Sequence, residues 1–327
     1  MMFIWNGEKT MKKYEGYDCV DLSIAYVCES LKQEYRGMFL GSWGLGFSSQ
    51  GELIGEKIIL ERTERFGLLK KIHGISSKQY VNENIPLDIY QKLNPVCEYR
   101  GRWEDIKGHI KKNCLMDIDT FGCRWDKGYK KYHGTHSCIV EHIEGGLYTI
   151  WDSWYEVRYI ISEKELEQII QRVIILESDI TEESELITEL RNMLETKKEM
   201  IGDMIKLKDS LKKVNLENEF KGCTKTTYFH APLDSKMLHL QEQRMQSYHF
   251  YKYLSEKYQN KYFYHIAIKF MNISKMWTGL KGEIVMAYLK KETTCGDKLS
   301  KMLGNIIYEE DLLLKELNTY LKKEYKI

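Results

Sequence analysis

Three side chains that lie far apart in the sequence have the types that thiol catalysis requires: Cys19, His136 and Asp152. A cysteine nucleophile needs a base for its proton, a polar group that orients the base, and N–H donors for the developing oxyanion. An imidazole next to a carboxylate can bind the carboxylate through one ring nitrogen and offer the other nitrogen to a thiol. Whether these residues meet depends on the elements that carry them.

Cys19 lies at the predicted start of a helix that runs to Lys32, with Asp18 at its N-cap. One face of this helix carries residues at helical spacing: Leu22, Ala25, Tyr26 and Glu29. A helix N-terminus favours a thiolate, and the backbone N–H of Cys19 is one of the first amides, which have no acceptor inside the helix. The alternative is a buried core cysteine, which is the more common role of a single cysteine.

His136 and Asp152 flank a predicted β-hairpin. Two apolar runs, 137–143 and 147–152, surround the turn Glu144-Gly145-Gly146. His136 stands at the start of the first strand and Asp152 ends the second, so the two are expected near the same end of neighbouring strands. We expect Nδ1–H of the imidazole to bind the carboxylate and Nε2 to face a thiol. Taken singly, His136 also fits a satisfied edge histidine and Asp152 a turn former.

The pattern changes near Ser162. The 327 residues are enough for about two domains. Aromatic and β-branched runs with glycine turns come before Ser162, and helix formers dominate after it. We predict an α+β fold with a catalytic domain over residues 1–161 and a helical domain over residues 162–327.

Long amphipathic helices are predicted in the second half. Residues 182–218 have the apolar spacing of one continuous, coiled-coil-like helix, which would allow a homodimer through this half of the chain. Three further helices are predicted over residues 233–258, 262–289 and 308–325. A set of Tyr, Met and Trp side chains follows their apolar faces and fits either a core or the wall of an acyl tunnel: Tyr248, Tyr251, Met271, Met276 and Trp277.

Composition excludes several classes of function. Lys plus Arg number 49 against 48 Asp plus Glu, and this balance disfavours a nucleic-acid partner. No apolar run approaches the ~20 residues of a membrane span, and the apolar start at Met1–Trp5 is too short for a secretory signal. Eight cysteines without a CxxC pair indicate reduced thiols and predict a cytoplasmic protein.

Neither a metal nor a cofactor is expected. One stretch is rich in potential ligands, but its intervals match no common zinc pattern: Cys114, Cys123, His133, His136 and Cys138. The glycines of residues 41–47 lack the order of a nucleotide-binding loop, so this segment is expected to be a turn, either structural or beside a substrate channel.

Four short segments carry a family resemblance: Tyr17-Asp18-Cys19-Val20, Gly134-Thr135-His136-Ser137, Trp151-Asp152-Ser153 and the segment Gly41-Ser42-Trp43-Gly44-Leu45-Gly46-Phe47. With them, residues 1 to about 160 resemble the papain-like fold of C39-type cysteine peptidases. Within that group the chain is most similar to butirosin-type acyltransferases of thiotemplated antibiotic pathways, and its helical second half is also similar to theirs.

The resemblance implies transfer of an acyl group from a carrier-protein phosphopantetheine thioester to a small amine. Cys19 would take the acyl group, His136 would activate first Cys19 and later the amine, and Asp152 would orient His136. The family's usual glutamine before the cysteine is missing here, so the resemblance leaves Asn6 or the backbone N–H of Cys19 as oxyanion donors. Two lysine pairs, at 70–71 and 130–131, fit either docking of an acidic carrier or ordinary solubility.

Two other functions fit the same residues. A cysteine peptidase would use the same triad with water as the acceptor, and an open groove would favour it. A non-enzymatic scaffold would bind a partner through the helical half and leave Cys19 inert.

Overall fold

The computed structural model describes residues 14–60, 64–85, 99–178, 186–292 and 294–325. It has an α+β fold with a mixed sheet in the N-terminal half and helices in the C-terminal half, as the sequence predicts. The helices are α1 (Cys19–Ser30), α2 (Ile54–Lys57), α3 (Arg65–His73), α4 (Trp103–Ile106), α5 (Glu163–Ile169), α6 (Leu186–Thr196), α7 (Lys198–Leu211), α8 (Leu216–Glu219), α9 (Pro232–Tyr258), α10 (Lys261–Lys290) and α11 (Gly296–Glu324). The strands are β1 (Gly46–Phe47), β2 (Ile58–Ile59), β3 (Ile75–Asn82), β4 (Tyr99–Gly101), β5 (Leu115–Asp119), β6 (Thr135–Glu144), β7 (Leu147–Asp152), β8 (Val157–Ser162) and β9 (Ile170–Ser178).

The chain forms two compact units. The sheet unit consists of Tyr17–Tyr35 and the described part of Phe66–Glu183, and the helical unit of the described parts of Met1–Gly16, Arg36–Arg65 and Ser184–Ile327. This division differs from a single boundary at Ser162, because Ser162 lies inside the sheet unit, where it caps α5.

A seven-stranded sheet forms the sheet unit, in the order β4-β3-β9-β5-β6-β7-β8. The β3–β4 pair is parallel and the other neighbouring pairs are antiparallel. The last strand in sequence, β9, lies between β3 and β5, and its first seven residues are buried. This central position explains why the unit extends beyond Ser162, since without β9 the sheet would be cut in two.

The predicted hairpin is confirmed as β6 and β7. Gly145 and Gly146 adopt φ of +56° and +77°, the left-handed conformations that a two-residue hairpin turn requires and that glycine adopts without strain. Ile139 pairs with Trp151, which brings the first half of β6 beside the end of β7.

The predicted helix at Cys19 is confirmed as α1. Its N-cap is Asp18, whose side chain accepts from the backbone N–H of Asp21, while the Asp21 carboxylate accepts from that of Asp18. This reciprocal capping box fixes the first turn and places Cys19 at its first position.

Long helices build the helical unit, with α9 packed against α10 and α11 against both α7 and α10. The prediction of one continuous helix over residues 182–218 is wrong within the described residues, which form α6, α7 and α8. The chain leaves the helix at Lys197 and again before Asn215, whose side chain accepts from the N–H of Asn218 and so starts α8. A side-chain cap of this kind competes with continuation of the helix.

A buried ion pair joins α9 and α11 in this unit. Arg244 donates from Nε and Nη2 to the two carboxylate oxygens of Glu310, each at 2.9 Å, and neither side chain is exposed to solvent. The indole N–H groups of Trp43 and Trp277 donate to the same carboxylate at 2.8 and 2.9 Å. Trp43 therefore makes the 41–47 segment part of the core of this unit.

Trp277 and Tyr251 are core residues as well. Trp277 is fully buried at the ion pair, and Tyr251 is buried with its ring stacked on Phe270 at 5.1 Å. The set of Tyr, Met and Trp side chains fits either a core or the wall of an acyl tunnel, and core packing accounts for these two members of it. Among the described residues, none of the helices combines the length and the hydrophobicity of a membrane span.

Candidate active site

Cys19 occupies the first position of α1 and is half-buried. Asp18 already caps the amide of Asp21, and the amide of Leu22 donates to the carbonyl of Asp18. The N–H groups of Cys19 and Val20 come before Leu22, whose N–H is the first that donates to a carbonyl of the helix, so these two amides have no acceptor within α1. The other predicted oxyanion donor, Asn6, lies outside the described residues.

His136 and Asp152 are in direct contact. Nε2 of His136 lies 2.7 Å from Oδ2 of Asp152, and both side chains are buried. The hairpin explains the contact, because His136 begins β6 and Asp152 ends the neighbouring strand β7. The sequence prediction of their proximity is confirmed.

The ring orientation is the reverse of the prediction. The carboxylate binds Nε2, whereas Nδ1 was expected there. Nε2 is the ring nitrogen farther from the backbone, and it is this nitrogen that reaches the carboxylate on the neighbouring strand. Nδ1 is then the ring nitrogen that the carboxylate leaves open, and the Cys19 thiol is near enough to the imidazole to contribute to the raised pKa of His136.

Five donors surround the Asp152 carboxylate. Oδ2 accepts from His136, from the indole N–H of Trp125 at 2.9 Å and from the thiol of Cys138 at 3.8 Å. Oδ1 accepts from the backbone N–H groups of Trp154 and Tyr155 at 3.0 and 3.1 Å. A carboxylate held at both oxygens keeps a fixed orientation and so fixes the imidazole.

The two buried partners stabilise each other's charged forms. Burial alone lowers the pKa of His136, but the Asp152 carboxylate and the thiols of Cys138 and Cys19 outweigh it, so the net pKa is raised. Burial alone raises the pKa of Asp152, yet its bonds to His136 and to the Tyr155 amide leave it lowered. This arrangement favours an ionised carboxylate and an imidazole that readily takes a proton.

Cys138 was not predicted as part of this site. It lies two residues after His136 on the same strand face, and the pairing of Ile139 with Trp151 puts it beside Asp152. Burial raises the pKa of its thiol to about 12, so it is a neutral donor at physiological pH. The spacing of His136 and Cys138 was the available sequence signal, because residues two apart on the predicted strand share a face.

Trp125 and Tyr155 were also missed. Trp125 comes from the loop between β5 and β6 and stacks on Tyr159 with ring centroids 4.3 Å apart. The Tyr155 ring lies 5.6 Å from the imidazole, and its hydroxyl donates to Asp126 at 3.0 Å. Nothing in their spacing marks either residue, because a loop brings them to the site.

A second imidazole–carboxylate pair lies at the same end of the sheet. Nδ1 of His133 is 2.6 Å from Oδ2 of Asp119, and the ring stacks on Phe121 at 4.4 Å. The His133 side chain is 60% exposed, in contrast to 8% for His136. Because the His133 side chain is mostly exposed and that of His136 is buried, His136 is the more firmly oriented of the two imidazoles.

The other described cysteines differ from Cys19. Burial raises the pKa of the Cys28 and Cys114 thiols to about 12 and also raises that of Cys123. Cys223 is half-buried and belongs to the helical unit. Among the described cysteines, Cys19 therefore combines partial exposure with a neighbouring imidazole.

The helical unit contains a separate cavity of about 830 Å³. Apolar and charged side chains both line it, among them Leu53, Lys57, Lys213, Asn218 and Cys223. The buried carboxylate beside it, Glu219, already accepts from the backbone N–H groups of Ile54 and Gly55. The mixed lining does not indicate one class of ligand.

No protein-family model matches the chain, and no curated protein matches it either. The geometry of Cys19, His136 and Asp152 is accordingly the basis for any functional assignment.

Proposed function

We propose that this protein is a thiol acyltransferase in which Cys19 is the nucleophile, His136 the base and Asp152 the orienting group. The observation that carries the proposal is the buried 2.7 Å contact between His136 and Asp152, with the half-buried Cys19 near enough to contribute to the raised pKa of His136. A core cysteine requires none of these features.

The reaction follows from the positions of the groups. Nδ1 of His136 takes the Cys19 proton, and the thiolate attacks the carbonyl carbon of a thioester. The new C–S bond forms as the donor's C–S bond breaks, and the imidazolium returns the proton to the departing thiol. An amine then attacks the acyl-Cys19, gives its proton to His136 and releases Cys19 with an amide formed. The unused amides at the start of α1 are the oxyanion donors nearest to Cys19.

The family resemblance supplies the finer part of the proposal. It makes the donor a carrier-protein phosphopantetheine thioester, the acceptor a small amine, and the sheet unit papain-like. A thiol at a helix start and an imidazole–carboxylate pair on neighbouring antiparallel strands support that fold. Lys130 and Lys131 are exposed in the loop that leads to His136 and would meet an acidic carrier.

The decisive experiment is intact-mass spectrometry of the full chain mixed with an acyl-loaded carrier and candidate diamines. We expect a covalent acyl adduct on the wild type, its absence in Cys19→Ala, and amide product when the amine is added. Cys223→Ala is the matched control, because Cys223 is also half-buried but lies in the other unit. An adduct that persists in Cys19→Ala contradicts the nucleophile assignment.

Release of the free acid in place of amide would favour the peptidase alternative. The absence of any adduct with every carrier and peptide ester tested would favour the scaffold.

A further inference from the structure

Three side chains of metal-ligand type converge in the sheet unit. His136, Cys138 and Asp152 are all buried, and one nitrogen, one sulfur and one oxygen atom from them lie within 4.8 Å of one another. We propose that these three residues form a binding site for a borderline-soft divalent cation of the Zn²⁺ class.

The strands hold the three ligands in place. His136 and Cys138 are two residues apart on one face of β6, and the pairing of Ile139 with Trp151 sets Asp152 beside Cys138 on β7. Ligands on two hydrogen-bonded strands need little ordering when a metal binds, in contrast to ligands on a loop.

Their spacing is close to that of a tetrahedral metal. With Zn–N and Zn–O bonds of about 2.0 Å and a Zn–S bond of about 2.3 Å, tetrahedral ligand atoms lie roughly 3.3 to 3.6 Å apart. The nitrogen–oxygen distance between His136 and Asp152 is 2.7 Å and the sulfur–oxygen distance between Cys138 and Asp152 is 3.8 Å. The nitrogen–oxygen distance would have to lengthen by about 0.6 Å and the sulfur–oxygen distance to shorten by about 0.2 Å to enter this range.

The ligand set selects the class of ion. One imidazole, one thiolate and one carboxylate suit Zn²⁺ or Co²⁺, whereas Mg²⁺ and Ca²⁺ bind through oxygen atoms. The thiolate and the carboxylate together neutralise a divalent charge in this buried position. Trp125 and the Trp154 and Tyr155 amides already orient Asp152, as outer partners do in metal sites.

Metal binding would change the state of the imidazole. The ion forms bonds to Nε2, Sγ and Oδ2; the proton of the Cys138 thiol is released to the solvent, and the ring proton of His136 moves from Nε2 to Nδ1. Nε2 then has no free lone pair, so Nδ1 carries the ring proton and cannot accept the proton of Cys19. This consequence, reversible inactivation by zinc, rests on the proposed function; the binding itself does not.

The test is a titration of the metal-free, full-length protein with Co²⁺ and then Zn²⁺. We expect saturation at one equivalent with thiolate-to-cobalt charge-transfer absorption, which Zn²⁺ displaces. Cys138→Ser should weaken binding by at least about 100-fold, since loss of an outer partner alone costs up to that factor. Cys114→Ser is the matched control, a buried cysteine of the same apolar cluster, and should bind as the wild type does.

Unchanged binding in Cys138→Ser, or no saturable binding in the wild type, would overturn the inference. X-ray absorption of the zinc-loaded wild type gives a test that needs no variant to fold: one sulfur neighbour at about 2.3 Å supports the site, and nitrogen and oxygen neighbours alone refute it. Metal binding without acyl transfer would count against the proposed function only, and acyl transfer without metal binding against this inference only.

Discussion

Nε2 of His136 binds Oδ2 of Asp152 at 2.7 Å, and this contact leaves Nδ1 as the ring nitrogen open to another partner. An ionised carboxylate accepts hydrogen bonds only, so Nε2 carries a proton, and Nδ1 is the nitrogen that would accept the proton of Cys19 in the proposed reaction. The Trp125 indole and two backbone amides hold the carboxylate in this orientation.

Asp152→Asn should reduce kcat by about 10²- to 10⁴-fold. The amide NH₂ would donate to Nε2, which moves the ring proton to Nδ1 and removes the base from Cys19. Steady-state kinetics with an acyl-loaded carrier measure this loss, and circular dichroism checks that the variant is folded. Activity within about twofold of the wild type would contradict the orienting role.

Trp125→Phe should lower kcat by about 10- to 100-fold, the equivalent of one hydrogen bond to a charged group. Phenylalanine keeps an aromatic ring on Tyr159 but has no donor for Asp152. Trp154→Phe is the matched control, because Trp154 binds Asp152 through its backbone N–H. A kcat that falls equally in both variants would argue for a packing effect.

Alkylation by iodoacetamide should modify Cys19 first among the described cysteines. His136→Ala should slow this reaction at neutral pH by at least about tenfold, since the thiolate is the reactive form and its proton acceptor is gone. Peptide mass spectrometry over time measures the rate at each cysteine. Cys223, half-buried in the other unit, should react at the same rate in both proteins. Equal slowing at Cys223 would indicate a global change.

His249 should make the stability of the protein depend on acid pH. Burial, with Lys252 and Arg36 nearby, lowers its pKa to about 4 despite its hydrogen bond to the Glu15 carbonyl. The unfolded chain takes up this proton near pH 6.5 and the folded chain only near pH 4, so stability is lost as the pH falls through this window. The loss reaches about 3 kcal/mol at pH 4.

Urea unfolding of His249→Gln between pH 7 and pH 4 tests this assignment. The glutamine amide retains a donor for the Glu15 carbonyl but does not titrate, so the pH dependence should become flatter. His239→Gln, an exposed position on the same helix, should leave it unchanged. An unaltered slope in His249→Gln would refute the assignment.

Glu310→Gln should destabilise the protein by about 3–5 kcal/mol, because it leaves Arg244 buried without its counter-charge. Asp311→Asn, at an exposed ion pair with Lys315 on the same helix, should cost less than about 1 kcal/mol. Urea unfolding midpoints compare the two. Similar effects in both variants would show that burial does not set the strength of the Arg244–Glu310 pair.

Local features of the fold were predictable from the sequence. Asp18 and Asp21 form a capping box from side chains three residues apart, and Gly145-Gly146 closes a hairpin between adjacent runs. Both features are formed by residues that are close in the sequence, so the identities of a few neighbouring residues are enough to predict them. The proximity of His136 and Asp152 could be predicted for the same reason, because both residues lie on one hairpin.

Contacts between distant segments were decided by the tertiary structure. The central place of β9 in the sheet, the Trp43–Glu310 bond across 267 residues and the loop position of Trp125 depend on which surfaces pack together. The ring orientation of His136 and the position of Cys138 beside Asp152 were also decided by the tertiary structure. Each requires strand register and side-chain direction, which the order of residues does not specify until the strands have paired.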